Sequence, residues 1–423
     1  MPLPLSIPSR SSLRAFSLKL RKQLPVVTLG ATLVLALNGC GKQDEEARPA
    51  PADAIPAPAP EDNRPLRQAT EQAWQQADTQ LTQCQQDTLK LNQTIDNLLK
   101  LMDETSLNEA KSAWHTSHNC VQQLSPFLLL GDVSPGLFGP MRELAFNIDA
   151  WPIQPGYLDY FDVYPHSGIV NDIAVPLTAT ALRAQHGFSD NSDVSLGFHA
   201  IAYLLWGEEG QRPPTDFIAD GTVTEKQKAS GLTPVDLPNS RRRTLLKLQG
   251  QLLLDDLKTL QQQLHPATNT LSLAYQRLSP QSRLQLWQRV AEYQIKSDVM
   301  DTQVSILAAG DGLPEGHNQF AGHTSESLVA GLEGLENLLF GVPGEDGSAA
   351  EPTLVSFLLE EKEQQALKQA FDNAQQQFEA LADDWPAVGE KRLKPLLQAL
   401  SDAAALLTPR VTAESTNNQG RTS

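Results

Sequence analysis

Apolar residues recur every three or four positions along most of the chain, and this pattern limits the fold more than any other feature. One such stripe comprises Leu81, Cys84, Leu89, Leu91, Ile95, Leu98 and Leu99. The spacing is typical of helices that bury one face against a core. Aromatic residues make up only 6% of the chain, and β-branched residues are scarce, so strands find little support. The sequence therefore predicts an all-α fold built from helical bundles.

The periodic stretches predict helices at about 67–103, 106–128, 139–149, 171–186, 193–206, 240–264, 279–308, 324–340, 353–382 and 387–407. Three irregular regions interrupt them, at 150–170, 207–238 and 309–323. Loops of this length inside a compact domain are often functional, which makes these regions places to look for a site.

Two segments of the chain resemble each other. Residues 197–207 read GFHAIAYLLWG and residues 331–341 read GLEGLENLLFG, with four identities in eleven positions. Each ends in Leu-Leu-aromatic-Gly, and the glycine suits the C-terminal cap of a helix. An internal duplication would give two related bundles, at about 65–238 and 239–410. Chance similarity between two capped apolar helices is the alternative.

The N-terminus has the parts of a bacterial lipoprotein signal peptide. Residues 1–39 carry five basic residues and no acid, and an apolar stretch runs from Leu24 to Leu37. That stretch is too short to span a bilayer comfortably, and it ends in a lipobox-like Leu-Asn-Gly-Cys. We expect cleavage before Cys40 and a lipid on its thiol; an ordinary signal peptide with a chance cysteine is the alternative. Gly41, rather than Asp, follows the anchor, so we expect the periplasmic face of the outer membrane.

The anchor is expected to hold a folded domain through a tether. Residues 40–64 are rich in Pro, Ala and charge and lack apolar periodicity, which predicts disorder. The helical domain spans 65–410, and a polar tail covers 411–423. The net charge is −17, and loss of the five basic leader residues makes it −22. Such acidity argues against nucleic acid, leaving the membrane, through the lipid, and an envelope protein as expected partners.

Two further cysteines, Cys84 and Cys120, fall on the first two predicted helices. In an antiparallel hairpin they lie at similar distances from the turn, and an oxidising compartment favours a bridge between them. We therefore predict a Cys84–Cys120 disulfide; two buried free thiols are the alternative.

Residues 195–207 resemble the signature of the imelysin-like family, in which Gly-x-His-x-x-Glu is followed by Leu-Leu-Trp-Gly. Gly197 and His199 match, whereas Ala202 occupies the Glu position. Similarity continues at Gly139-Pro140, Trp151-Pro152, 315–320 and 334–341, so that it spans about 65–407. The family includes proteins described as insulin-cleaving membrane peptidases and as iron-regulated periplasmic lipoproteins. The resemblance implies the imelysin-like helical fold, and it links the chain to iron and to peptidases.

The missing Glu bears on the chemistry. Residues three apart share a helix face, so His and Glu in the motif could serve one zinc or iron ion, or the Glu could be a general base. Ala202 can do neither, so we predict no catalytic residue and expect a hydrolase that relies on this Glu to be inactive. His199 is then either a buried, hydrogen-bonded core residue or a ligand in a site completed by other residues.

The candidates that could complete a metal site with His199 are Asp149 beside the Trp-Pro turn, Asp172 after the first irregular region, and His317 with Glu315 in the third. Glu333 and Glu336 align with His199 and Ala202 in the second repeat. The metal candidates are therefore His199, Asp149, His317 and Glu315. The expected ion is a divalent metal or iron, and these residue types do not distinguish between iron, zinc and copper.

The other histidine and arginine patterns are better explained by structural or surface roles than by a functional site. His115 and His118 lie three apart on a predicted helix without a carboxylate partner, so we interpret them as a surface pair. Arg241, Arg242 and Arg243 are expected on a solvated or carboxylate-paired face. The sequence contains no His-Glu-x-x-His, no phosphate-binding glycine loop and no Gly-x-Ser-x-Gly elbow.

Three functions compete. The first is a non-enzymatic lipoprotein that binds a metal ion, a metal complex or a protein partner and serves iron uptake. The second is a metallopeptidase, and the third is a structural envelope lipoprotein. We favour the first, because the family resemblance and the tethered domain support it and the motif Glu is absent.

Overall fold

A computed structural model describes residues 63–154, 156–161, 163–265, 270–305, 317–318, 320–344, 347, 351–381 and 390–409. The leader, Cys40, the tether up to residue 62, Glu315 and the C-terminal tail lie outside the described residues. The described residues, from Asn63 onward, all belong to a single compact unit.

The described helices are α1 (Arg64–Leu101), α2 (Glu104–Gln122), α3 (Ser125–Leu128), α4 (Leu130–Val133), α5 (Pro135–Phe138), α6 (Pro140–Asp149), α7 (Ala179–Gln185), α8 (Gly197–Trp206), α9 (Glu225–Ala229), α10 (Pro238–Leu264), α11 (Thr270–Arg277), α12 (Pro280–Tyr293), a π-helix (Gln294–Val304), α13 (Thr324–Phe340), α14 (Val355–Leu358), α15 (Glu361–Leu381) and α16 (Glu390–Leu407). Short 3₁₀ turns occur at Pro214–Phe217 and Pro234–Asp236. No strand occurs among these residues, and the all-α prediction is confirmed.

Several helix boundaries differ from the prediction. The predicted helix 106–128 is divided into α2 and α3, and the predicted helix 353–382 into α14 and α15. The predicted helix 171–186 begins only at Ala179, because carbonyl groups of the preceding turn bind Arg241 and Thr178 caps α7 through Ala181 N. The long helix predicted at 279–308 changes to π-helix at Gln294. Within the described part of the chain, no helix has the length and apolar run that crossing a membrane would require.

Helices α1 and α2 form an antiparallel hairpin. The αL residue Met102 ends α1, and Asp103 begins α2 with a capping box to Ser106. A disulfide joins Cys84 to Cys120 across the hairpin, with Cα atoms 5.4 Å apart. The disulfide fixes the register of α2, which carries His118, against α1.

Helix α8 is the most deeply buried helix of the described chain. It packs against α2, α6 and α10, and all ten of its residues are buried. Helix α13 also packs against α2, but its other main neighbours are α3 and α15, and part of its surface faces solvent. The two segments that resemble each other in sequence thus occupy different environments. The division into two bundles and the duplication both stay predictions.

Two buried arginines of α10 hold the first irregular region in place. Arg241 donates to the carbonyls of Ile169 and Val170, and Arg242 forms an ion pair with the fully buried Asp159. The predicted carboxylate pairing is therefore present for Arg242. The loop is anchored to α10 at its buried end, which positions the chain that follows α6.

Candidate metal centre

The site begins with a close approach between α6 and α8. Gly197 starts α8 with φ +82°, and a Cβ at this position would lie 2.4 Å from the carbonyl oxygen of Ile148. Only glycine tolerates both the left-handed φ and the contact. This contact lets the N-terminus of α8, with His199, lie directly against the end of α6, where Asp149 is located.

Four side chains converge there from four parts of the chain. They are His118 of α2, Asp149 of α6, His199 of α8 and His317 from the segment before α13, and one ligand atom of each lies within 4.8 Å of the others. The Nε2 atoms of His118 and His199 lie 3.0 and 3.1 Å from Asp149 Oδ1. His317 Nε2 lies 3.3 Å from Asp149 Oδ2 and 3.2 Å from His199 Nε2. The three imidazoles thus surround a single carboxylate.

The donor set fits a metal ion. Donor atoms that each lie about 2.0–2.1 Å from a tetrahedral zinc are roughly 3.3–3.4 Å apart. The contacts of Asp149 with the three imidazoles and that of His199 with His317 span 3.0–3.3 Å, and the ligand atoms of the whole set lie within 4.8 Å of one another. Three imidazole nitrogens and one carboxylate suit zinc, iron, nickel or copper rather than magnesium or calcium. The family-implied metal and these residues are therefore compatible.

Burial keeps two of the imidazoles neutral. It lowers the pKa of His199 to about 4, against the opposing charge of Asp149. It lowers the pKa of His118 as well. A neutral imidazole has a nitrogen lone pair available for a metal, so both side chains are in the protonation state that a ligand needs.

Interactions within the cluster determine the ionisation of Asp149 and His317. Burial alone would raise the pKa of Asp149, but the three surrounding imidazoles, of His118, His317 and His199, outweigh burial and hold the pKa well below 3.8. Burial likewise opposes protonation of His317, but Asp149 and Asp298 raise its pKa above 6.5. In the metal-free protein His317 therefore keeps its proton most readily. A metal ion would displace that proton, which makes binding dependent on pH.

Residues around His118 orient its ring. Trp114 stacks on the imidazole with ring centroids 4.7 Å apart, and its Nε1 donates to the Phe198 carbonyl of α8. On the far side, His118 Nδ1 lies 3.2 Å from Ser327 Oγ, which donates to the His323 carbonyl. The serine oxygen can therefore accept a hydrogen bond from Nδ1–H, which leaves Nε2 unprotonated. In the structure Nε2 lies 3.0 Å from Gln122 Nε2, which can donate to it.

A pocket of about 730 Å³ adjoins the cluster. Asp149 and His317 form part of its wall, together with Arg142, Trp151, Asp298 and Gln303. The last two belong to the π-helix. Burial raises the pKa of Asp298 to about 6, with His317 opposing and Asp149 reinforcing the shift. The pocket gives a small molecule or ion a route to His317 and Asp149.

The structure brings together three of the four metal candidates predicted from sequence, namely Asp149, His199 and His317. Glu315 lies outside the described residues. Asp172 is exposed and accepts a hydrogen bond from Ala174 N, away from the cluster. Metal binding by these residues stays a prediction.

The interpretation of His115 and His118 as a surface pair is wrong for His118, which is fully buried. One signal could have shown this: His118 lies four residues after Trp114 and three before Val121, on the apolar face of α2. Its burial was therefore predictable, although its partners were not. His115 is partly buried and its ring contacts that of His323, with centroids 3.8 Å apart.

Two other contributors carried no sequence signal. Gln122 donates to Asp149 Oδ2 over 2.6 Å from the last turn of α2. Asp298 fell inside a stretch that the sequence presents as ordinary helix. Neither residue type is unusual at such positions, so only the packing identifies them.

Comparisons with known proteins agree with the fold. The family model described as Imelysin (peptidase M75) matches residues 77–410. A crystal structure of a protein named as an iron-regulated protein A precursor, from Parabacteroides distasonis, superposes with a TM-score of 0.52 at 12% sequence identity. The match covers 84% of this chain and 96% of that one. No curated protein matches the sequence.

Proposed function

The chain belongs to the imelysin family, and from that premise we propose that it is a lipid-anchored envelope protein that captures a metal ion for iron uptake. The observation that carries the proposal is the convergence of His118, Asp149, His199 and His317 at one buried point. The function follows from the ligand set rather than from any catalytic group.

Each residue has a part in holding the ion. The Nε2 atoms of His118, His199 and His317 would be the nitrogen ligands, and Asp149 would supply the carboxylate oxygen. Asp149 would place a buried negative charge beside a bound ion, whose positive charge would balance it. Ser327 and Trp114 keep the His118 ring in its orientation, and Gln122 supports Asp149.

The link to iron comes from relatives rather than from the ligands. The structural neighbour is named as iron-regulated, and the ligand set suits iron as well as zinc. A protein anchored through Cys40 and carried on the tether of residues 40–64 would present the pocket to the periplasm. Labelling of the wild-type chain with a radioactive fatty acid, absent from Cys40→Ala, would test the anchor.

The test of metal capture uses the mature chain after metal has been stripped from it. Titration with Fe²⁺ under anaerobic conditions and with Zn²⁺ should show tight binding that His199→Ala abolishes. His166→Ala is the matched control, because His166 lies exposed in a loop and should leave binding unchanged. Absence of binding in the wild-type protein would refute metal capture and favour a structural envelope role.

Peptide hydrolysis is the competing function. The position that carries Glu in the family motif holds Ala202, which is 1% exposed and offers no acid or base. Cleavage of a peptide library that a chelator blocks and that His199→Ala abolishes would overturn the non-enzymatic proposal. We expect no such cleavage.

A further inference from the structure

The wall of the pocket beside the cluster carries two N–H donors that no described residue accepts. Trp151 Nε1 and His317 Nδ1 are both buried without a hydrogen-bond partner, and their rings meet edge to face with centroids 5.9 Å apart. His317 Nε2 lies 3.3 Å from Asp149 Oδ2. Nδ1 therefore carries hydrogen both in the protonated ring of the metal-free protein and when Nε2 binds an ion. These neighbouring donors call for an oxygen acceptor supplied by a ligand.

The π-helix presents acceptors to the same pocket. Asp298 and Gln303 are five residues apart, which is the spacing of π-helical hydrogen bonds, and both side chains line the pocket. Gln303 Oε1 is buried without a partner, in a residue that is 7% exposed. Within the described chain, nothing forms a hydrogen bond or ion pair with the Asp298 carboxylate. A ligand that meets this side of the pocket must supply a donor, and a positively charged one suits the carboxylate.

The donor side and the acceptor side lie within electrostatic range of each other. Burial raises the pKa of Asp298, and the charge of His317 opposes that rise. Burial lowers the pKa of His317, and the charges of Asp149 and Asp298 raise it. Because Asp298 and His317 act on each other in this way, one small molecule can meet both.

The charges of the pocket exclude a simple anion as that molecule. Asp132, Glu143, Asp149 and Asp298 all line the pocket, whereas its arginine, Arg142, is paired with Asp132 over 2.6 Å. The excess of carboxylates repels a ligand whose only charge is negative. The group that accepts from the two N–H donors must therefore belong to a molecule that also carries a positive charge.

A further part of the wall is apolar. It is formed by Leu128, Leu129, Ala145 and Phe146, and the last three are only half-buried. The volume of about 730 Å³ is that of a site for a small organic molecule. An aliphatic group on the ligand would cover this apolar surface, which favours binding.

We propose that the pocket binds a free α-amino acid with an aliphatic side chain, such as leucine. Its carboxylate accepts hydrogen bonds from Trp151 Nε1 and His317 Nδ1, and its ammonium group donates to Asp298 and to Gln303 Oε1. Its side chain lies against the apolar wall that includes Phe146. The ion of the proposed function is not part of this site, so the amino acid binds whether the cluster is loaded or empty.

Calorimetric titration of the mature chain tests the proposal with L-leucine, 4-methylpentanoate and 3-methylbutylamine. The second compound lacks the ammonium group of leucine, the third lacks its carboxylate, and both keep the aliphatic chain. Leucine should bind one to one, and each analogue at least about tenfold more weakly, because a charged hydrogen-bonding group is lost. The proposal is overturned if leucine, isoleucine and valine all fail to bind, or if either analogue binds as tightly as leucine.

Two variants assign the ends of the ligand. Trp151→Phe keeps an aromatic ring but removes the N–H, and it should weaken leucine binding about tenfold. Asp298→Asn should weaken it as well, and should no longer prefer leucine to 4-methylpentanoate. A purely structural role of Asp298 would not remove this preference. Asp301→Asn is the matched control, because it removes the same charge from an exposed position of the same π-helix, and it should bind leucine as the wild type does.

Unchanged leucine affinity in both folded variants, Trp151→Phe and Asp298→Asn, overturns the site. Circular dichroism shows whether each variant folds. Gln303→Leu decides the question if Asp298→Asn does not fold, since it removes an acceptor of the ammonium group without altering charge and should also weaken leucine binding.

His199→Ala separates this proposal from the proposed function. The variant should lose Zn²⁺ binding and still bind leucine as the wild type does. A wild-type protein that binds leucine but no metal would refute metal capture and leave the amino-acid site standing, and the reverse result would overturn only the amino-acid site. Loss of leucine binding in a folded His199→Ala protein also overturns the proposal, because the amino acid would then depend on the metal cluster.

Discussion

Residues 197–207 and 331–341 end in the same way but are used differently. Both helices stop at a glycine with positive φ, Gly207 at +72° and Gly341 at +82°. In both, the two leucines before the aromatic residue are buried. The polar positions diverge: His199 enters the metal cluster, whereas the aligned Glu333 is exposed and accepts from Gln123.

The difference shows that the shared residues serve the helix and its packing, and that the unshared residues serve the site. Helix α8 is enclosed by α2, α6 and α10, so a polar residue on it must have a buried partner. Helix α13 keeps an exposed face, where Glu336 pairs with Lys368. Four pairs of measurements would break or sharpen this contrast.

The largest effect is expected at the aligned glycines. Gly197→Ala should destabilise the protein by about 3 kcal/mol or more, because a left-handed alanine and a contact with the Ile148 carbonyl oxygen both cost energy. Gly331→Ala should be neutral or stabilising by about 0.5–1 kcal/mol, since its Cβ would make only ordinary contacts at 3.7 Å or more within a helix. Urea unfolding of both variants measures the difference. Equal losses of stability would mean that the two glycines play the same role.

The next effect concerns metal affinity. His199→Ala should weaken Zn²⁺ binding at least about 100-fold, because removing a ligand costs no less than removing the groups that support one. Glu333→Ala, at the aligned position, should bind Zn²⁺ as the wild type does. Calorimetry on the metal-stripped proteins provides the comparison. A wild-type affinity in His199→Ala would mean that His199 is a structural core residue and not a metal ligand.

The pH dependence of stability should separate the same two positions. The pKa of His199 is about 4 in the folded metal-free protein and about 6.5 in an unfolded chain. The unfolded state therefore binds more protons between these values, and stability falls as the pH drops through this window. One such proton contributes at most about 1.4 kcal/mol per pH unit.

His199→Ala should reduce this slope by up to one proton between pH 6.5 and 4. The slope should not vanish, because burial also lowers the pKa of His115, to about 3. Glu333→Ala should leave the slope between pH 6.5 and 4.5 as it is. Chemical unfolding at several pH values measures it, and an unchanged slope in His199→Ala would contradict the neutral buried imidazole.

The smallest effect is expected for the ion pair on α13. Glu336→Gln should cost less than about 1 kcal/mol, since its partner Lys368 is half exposed and such pairs contribute little. Thermal unfolding at low and high salt checks this expectation. A loss of several kcal/mol would show that α13 depends on polar contacts as strongly as α8 does.

Part of the site could be predicted residue by residue. The Gly-x-His pattern indicated His199, and the turn after α6 indicated Asp149. His118 was wrongly predicted to lie on the surface, because the prediction used its spacing to His115 and ignored its position on the apolar face of α2. The pairing of His199 with His317 crosses 118 positions of sequence, and no local period encodes so distant a contact. The π-helix that presents Asp298 was not foreseen, because the three- and four-residue apolar spacing does not distinguish it from α-helix.

The sequence by itself determined the local structure: the helices through their apolar period, their ends through caps and glycines, and the partners Cys84 and Cys120 through the hairpin. These features depend on interactions between residues close in the chain or on one helix pair. Only the tertiary structure decided which polar residues meet. A buried polar group is stable only where the packing of several helices brings it a partner, and that packing depends on the whole chain at once.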